Sequence, residues 1–177
     1  MAYDNYCDYA LSLPLDNPHR RYHDRQYGRA IEVDDELFGL LLLEINQAGL
    51  SWNTILKKQD NFRNAYANFS IEKVTAFAQA DIDRLLADAG IIRNRLKIKA
   101  AITNAQKILV LQQQFGSFKA WLESNRGKSR DEWTRLFKQT FVFTGGEIVN
   151  EFLMSCGYLP GAHMPDCPIL AKIKQTR

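Results

Sequence analysis

The chain has 177 residues, 46% hydrophobic and 24% charged, with a formal net charge of +3. This is the balance of an ordinary globular protein with one substantial core, basic enough to permit nucleic-acid binding without demanding it. Three scattered cysteines argue against a disulfide framework, no apolar run approaches the ~18 residues of a membrane span, and MAYDNYCDYA lacks the features of a signal peptide. The expectation is a cytoplasmic protein, likewise with no membrane partner, whose thiols are free for other work.

The first 30 residues read as polar, aromatic and irregular. Prolines stand only at 14, 18, 160, 165 and 168, so none interrupts a helix between His19 and Leu159. Helical spacings are plentiful there and alternating patterns scarce, which predicts an all-α body between two proline-bearing ends. Leu37, Phe38, Leu40, Leu41, Leu42, Leu43 and Ile45 crowd one helix too densely for a wet face, so it should be buried on most sides. Asp34 or Asp35 is its expected cap. Glu44 lies inside this run, and a carboxylate is rarely buried without a partner. Gln47-Ala-Gly-Leu-Ser-Trp52 follows, so an acid in an apolar wall meets a glycine turn and a large aromatic. That combination reads either as a recognition pocket or as a helix stop beside a structural acid.

A second helix follows Ser51 with Ile55, Leu56, Phe62, Tyr66 and Phe69 inward. Ser70 caps a short helix, Asp81 another that stops near Gly90, and a long one runs from about Arg93 to Phe115, ended by Gly116. Ser117 opens the next, and Ser129 with Glu132 forms a capping box before Trp133, Leu136 and Phe137. Thr140 to Gly146 turns tightly into a last helix carrying Ile148, Val149, Phe152 and Leu153 inward. Gly145 and Gly146 permit positive φ there, and the turn's amides could hold a phosphate or merely reverse the chain. The count is seven or eight helices.

Cys7, His23, His163 and Cys167 offer two thiolates and two imidazoles, the donor set zinc prefers, but their C-x15-H and H-x3-C spacings match no compact finger. Cys156 reads as packing. Arg93, Arg95, Lys97 and Lys99, with Lys57 and Lys58, read as a solvated face that meets DNA only if it shares a surface with that turn and the 47–52 loop.

Taken together, Cys7-Asp-Tyr, Tyr22-His-Asp24, Tyr27-Gly28, Glu44 to Trp52, Leu56-Lys-Lys58, Asp88 to Arg93, Phe141 to Gly145 and His163-x3-Cys167 resemble the DNA-3-methyladenine glycosylase I family. The similarity spans about residues 7 to 168. The resemblance implies a helix-hairpin-helix glycosylase fold in two helical lobes with a cleft, formed by a single domain over residues 1–177. Residues 1–30 and 158–177 would make its zinc-bound part. It implies hydrolysis of the N-glycosidic bond of 3-methyladenine in double-stranded DNA, with the free base as product and the protein acting as a monomer. Structural zinc would be held by Cys7, His23, His163 and Cys167. Tyr22 and Trp52 would sandwich the base, with Glu44 reading it and serving catalysis, and Tyr9 and Tyr27 forming a second ring of substrate contacts. Gly49, Leu50 and Ser51 would wedge the duplex, and Phe143, Thr144, Gly145 and Gly146 would anchor its backbone.

Lysine is absent between Lys138 and Lys172, so no amine is placed for a lyase step. Asp166, beside Cys167, is expected near the metal rather than in the cleft. Tyr9, Tyr27, His19, Asn46 and Ala162 depart from the family's usual tryptophans, tyrosine, glutamine and aspartate. The alternatives are a non-catalytic helix-hairpin-helix damage-binding protein or a glycosylase for another alkylated purine.

Overall fold

The computed structural model describes residues 3–175 and contains, among them, eleven α-helices, one 3-10 turn and no strand. In order they are α1 (Tyr6–Leu11), α2 (Pro18–Arg25), α3 (Asp34–Gln47), α4 (Trp52–Ala65), the 3-10 turn (Ala67–Phe69), α5 (Ile71–Thr75), α6 (Gln79–Ala87) and α7 (Arg95–Phe115). Then come α8 (Phe118–Ser124), α9 (Arg130–Thr140), α10 (Gly146–Ser155) and α11 (Pro168–Gln175). No helix among the described residues is long and apolar enough to cross a membrane.

Helix α3 is the axis of the molecule. Nine of its residues, Leu37 to Gly39 and Leu41 to Asn46, are buried, and it packs on α4, α7, α8 and α10. The other amphipathic helices close around it, bringing Phe62, Ile98, Ile108, Trp133 and Phe152 into one core. A smaller apolar cluster of Cys7, Cys167, Ile169 and Ile173 joins α1 to α11.

Local capping chemistry sets most helix starts. Ser51, Ser70, Ser117 and Ser129 each accept a backbone N–H of the first turn, and Ser129 with Glu132 forms the expected capping box. The long helix α7 begins at Arg95, behind the Asn94 cap, and ends at Gly116 with φ +89°.

Several expectations need correction. The first 30 residues are not irregular, because Asn5 and Asn17 cap α1 and α2. Those two helices and α11 raise the described count above seven or eight. Asp34 and Asp35 do not cap α3, whose N-cap is Val33. The Asp34 carboxylate instead accepts the Phe118 and Lys119 amides at 2.7 and 2.9 Å, and Asp35 accepts the Ile71 amide at 3.0 Å. Asp81 is the third residue of α6 and accepts the Ala78 amide from inside the helix. In the turn between α9 and α10, Gly145 has φ −76°, and the left-handed residue is Phe143 at φ +61°.

Candidate functional site

A cavity of about 520 Å³ opens between α2, the start of α4, and the buried face where α3 meets α10. Tyr6, Tyr22, Tyr27, Glu44, Gln47, Trp52, Glu147 and Glu151 line it. Its size is that of a small-molecule site, and its walls are aromatic with carboxyls among them. Glu44, Tyr22, Tyr27 and Trp52 thus meet as the sequence led one to expect. Tyr6, Glu147 and Glu151 were not foreseen.

Glu44 is 4% exposed, presented by the densest apolar helix in the chain. Burial, reinforced by the charge of Glu151, pushes its carboxyl up to about 8, against a lowering bond from Ser155. Before any base enters, Glu44 is therefore largely protonated at neutral pH. Ser155 also meets the Tyr22 hydroxyl at 2.9 Å, so one hydroxyl of α10 ties the acid to the ring beside it. Nothing in the sequence around Ser155 singles it out, since its role depends on α10 crossing α3. Glu151 is itself raised, by burial and then by the charge of Glu147 one turn earlier on α10.

The rings are not arranged as a sandwich. Tyr22 and Trp52 have centroids 5.2 Å apart and planes at 64°. A base stacked between two faces needs about 7 Å, two layers of ~3.5 Å contact. The two rings instead form adjacent walls, with Tyr27 tilted 36° to Tyr22 at 5.5 Å and Tyr6 edge-on to Tyr27. Tyr9 is not a lining residue. It packs behind, against Tyr6 and His19, and His19 in turn meets the Tyr6 hydroxyl at 3.2 Å.

Beside this cavity, Cys7, His23, His163 and Cys167 converge, all buried, with one donor atom from each within 4.8 Å of the others. The sulfur-to-nitrogen distances are 3.7 Å for Cys7 to His163, 3.6 Å for Cys167 to His163 and 3.6 Å for Cys167 to His23. A tetrahedron with ~2.3 Å metal–sulfur and ~2.0–2.1 Å metal–nitrogen bonds has such an edge near 3.5 Å. The remaining ring nitrogens are also committed. His163 Nε2–H donates to the Tyr27 carbonyl at 2.8 Å, and His23 Nδ1 meets the Asp24 carboxylate at 2.8 Å. The donor set and its outer partners fit a metal ion. The cysteines are free of disulfides, and Cys156, away from this group, donates to the Phe152 carbonyl as a packing residue.

Gly28 links the two sites. Its φ is +73°, and a Cβ there would lie 2.9 Å from both Ala162 Cβ and His163 Cδ2, so only glycine lets Tyr27 sit against the Cys/His group. Asp166 is exposed, adjacent to Cys167, and does not line the cavity.

At the opposite lip, the 47–50 turn closes through the Leu50 amide to the Gln47 carbonyl at 2.7 Å and the Gln47 side chain to the Leu50 carbonyl at 2.9 Å. Gly49 has φ +80° with nothing near its Cβ position, and Leu50 is exposed. Ser51 is exposed and caps α4. In the α9–α10 turn, Val142 and Phe143 are exposed and Gly145 has open space above it, whereas Thr144 is buried against the Phe137 carbonyl. The side chain of Asn104 clamps that turn by accepting the Val142 amide at 2.9 Å and donating to its carbonyl at 3.0 Å.

Residues 14–170 match the family model described as methyladenine glycosylase. The chain is 35% identical to DNA-3-methyladenine glycosylase 1 of Escherichia coli (strain K12), over 82% of this chain and 88% of that protein. It is 32% identical to DNA-3-methyladenine glycosylase of Haemophilus influenzae, over 83% of this chain and 89% of that protein. Among solved structures, a variant of 3-methyladenine DNA glycosylase I in complex with 3-methyladenine superposes with a TM-score of 0.81 at 33% identity, covering 93% of this chain and 97% of that one. A structure of the Staphylococcus aureus enzyme, concerned with 3-methyladenine recognition, gives a TM-score of 0.79 at 35% identity, with 90% and 94% covered.

Proposed function

This chain belongs to the methyladenine glycosylase family, and from that premise we propose how its pocket excises the damaged base. It is a DNA repair glycosylase that hydrolyses the N-glycosidic bond of 3-methyladenine in alkylated DNA. The observation that carries this reading is the buried Glu44 carboxyl facing aromatic rings in an open, base-sized cavity.

An adenine methylated at N3 in DNA is a cation, so the bond to its sugar is already weakened. The work left to the protein is to extrude the nucleotide, at a cost of a few kcal/mol, and hold it. Leu50 at the tip of the 47–50 turn fills the gap in the duplex, with Gly49 and Ser51 beside it. Amides around Phe143 to Gly146, at the positive end of α10, anchor a phosphate, with Thr144 setting the turn from within. Inside the cavity the charged ring lies against the walls made by Tyr22, Trp52 and Tyr27, which favour a cation through their π faces. Tyr9 contributes from behind, by holding Tyr6 in place.

The entering cation displaces the Glu44 proton, and the resulting carboxylate accepts from the exocyclic N6 amine, which selects adenine over guanine. Water then adds to C1′ as the bond to N9 breaks. One water proton stays on the new hydroxyl, the other leaves to solvent, and the base departs neutral. As positive charge passes from base to sugar, the carboxylates of Glu44 and Glu151 give the cavity a negative potential that favours that shift. No lysine lines the cavity, in keeping with hydrolysis and no lyase step.

Cys7, His23, His163 and Cys167 hold structural zinc, a closed site whose work is to join the two ends of the chain. The protein acts as a monomer in the cytoplasm, on double-stranded DNA. The test is incubation with methylated duplex DNA and chromatography of the supernatant. Free 3-methyladenine is expected, and duplex binding with no base released would instead identify a damage-binding module. Loss of adenine-lesion excision alone in Glu44→Gln would support the N6 contact over a broader purine range.

A further inference from the structure

Lys97 is the third residue of α7, in a run of cations that looks like a solvated face, yet it is only 5% exposed. Arg93, Arg95 and Lys99 around it are exposed. Its ammonium donates to the Asn46 carbonyl at 2.8 Å and to the Ala48 carbonyl at 2.7 Å. These are the last turn and C-cap of α3, where unpaired carbonyls and the helix dipole together attract a cation. A lysine is rarely buried to this degree, and both bonds are charge-assisted. They close directly behind the 47–50 turn, whose own two bonds make it a compact unit with Leu50 at its tip.

We propose that Lys97 is a positioning residue for strand separation, its buried ammonium bracing the end of α3 so that Leu50 enters the duplex against a rigid support. The inference rests on the wedge role given to Leu50 above. A loop that pushes between stacked bases must resist their return, and Gly49, left-handed and free of neighbours, supplies no stiffness. The bracing comes from α7 through one side chain. Glu44 lies on the same helix as Asn46, two residues earlier, but its Ser155 bond is independent of Lys97. Removing the brace therefore touches extrusion and leaves base recognition intact.

The experiment compares K97M with wild type in single-turnover excision of 3-methyladenine from two duplexes, one with the lesion opposite thymine and one with it opposite an abasic gap. The second lesion is already unpaired and is cheaper to extrude. K97M is expected to lose about tenfold or more on the paired lesion, to stay within about twofold of wild type on the gapped one, and to bind free 3-methyladenine unchanged in calorimetric titration. K97R, which keeps the charge, should restore much of the paired-duplex rate. Thermal melting checks the fold, and K97Q replaces K97M in the same comparison should the latter not fold. Equal losses on both duplexes, weakened free-base binding, or no loss on the paired lesion would overturn the proposal. A wild-type protein that releases base from neither duplex overturns the glycosylase reading itself, and the bracing role with it.

Discussion

At the scale of single residues, Glu44 is held in tension between fold and chemistry. Its carboxyl is raised from the ordinary 4.5 to about 8, so the folded protein keeps a proton that the unfolded chain releases. The unfolded state binds fewer protons between those two values, so wild-type stability falls as pH rises from about 4.5 to about 8 and then levels. The size of that loss is a few kcal/mol, since each tenfold difference in proton affinity between the two states is worth ~1.4 kcal/mol. Glu44→Gln removes the ionisation, so its melting temperature should exceed that of wild type at pH 8 and the two should converge near pH 4.5, as read by calorimetry at several pH values. Excision by the same variant should fall by about a hundredfold or more, a cost in function matched by a gain in stability. Glu151→Gln should lower the Glu44 titration, seen as a displacement of that stability slope to lower pH. Asn104 is a second informative residue. Its two bonds to Val142 shape the exposed turn without touching the cavity, so Asn104→Ala should cost about 1–2 kcal/mol and weaken duplex binding, with free-base affinity unchanged.

At the scale of elements, what could be read from sequence divides by distance along the chain. Ser51, Ser70, Ser117 and the Ser129–Glu132 box act within four residues of themselves, and their helices begin where local chemistry says. Asp34 and Asp35 look like equally good caps, yet they serve α8 and α5, because the half-buried first turn of α3 packs beside the starts of those helices. Asp34→Ala should accordingly destabilise by about 2 kcal/mol, with hydrogen exchange quickening first in α8 rather than α3. Helices α1 and α2 escaped notice for a related reason. Their buried residues are Cys7, Ala10, His19, Tyr22 and His23, too polar to show an apolar stripe, since what they face is a Cys/His group and an aromatic cavity. In the pocket, Glu44 and Trp52 stand out from the chain because they interrupt or end an apolar run. Glu147 and Glu151, and Ser155 behind Tyr22, do not, because α10 reads as an ordinary amphipathic helix until its crossing with α3 is known.

At the scale of the molecule, the four-residue Cys/His group accounts for why α1, α2 and the segment leading into α11 meet beside the cavity. On the zinc reading proposed above, treatment with a strong chelator, or Cys7→Ser, should lower stability by ~3 kcal/mol or more, roughly 6–12 °C in Tm for a chain of this size. Proteolysis should then cut first in residues 3–30 and 158–175, while the α3-centred core resists. Because Gly28 and the Tyr27 carbonyl rest directly on His163, base binding should weaken in parallel with metal loss.

That contact between Gly28 and His163 also makes the recognition wall the shared property of two segments distant in sequence. Tyr27 belongs to the turn after α2, yet the surface it rests on is Ala162 and His163. A bulkier side chain at position 162 should therefore loosen Tyr27 much as one at position 28 would, read out as weaker binding of the free base.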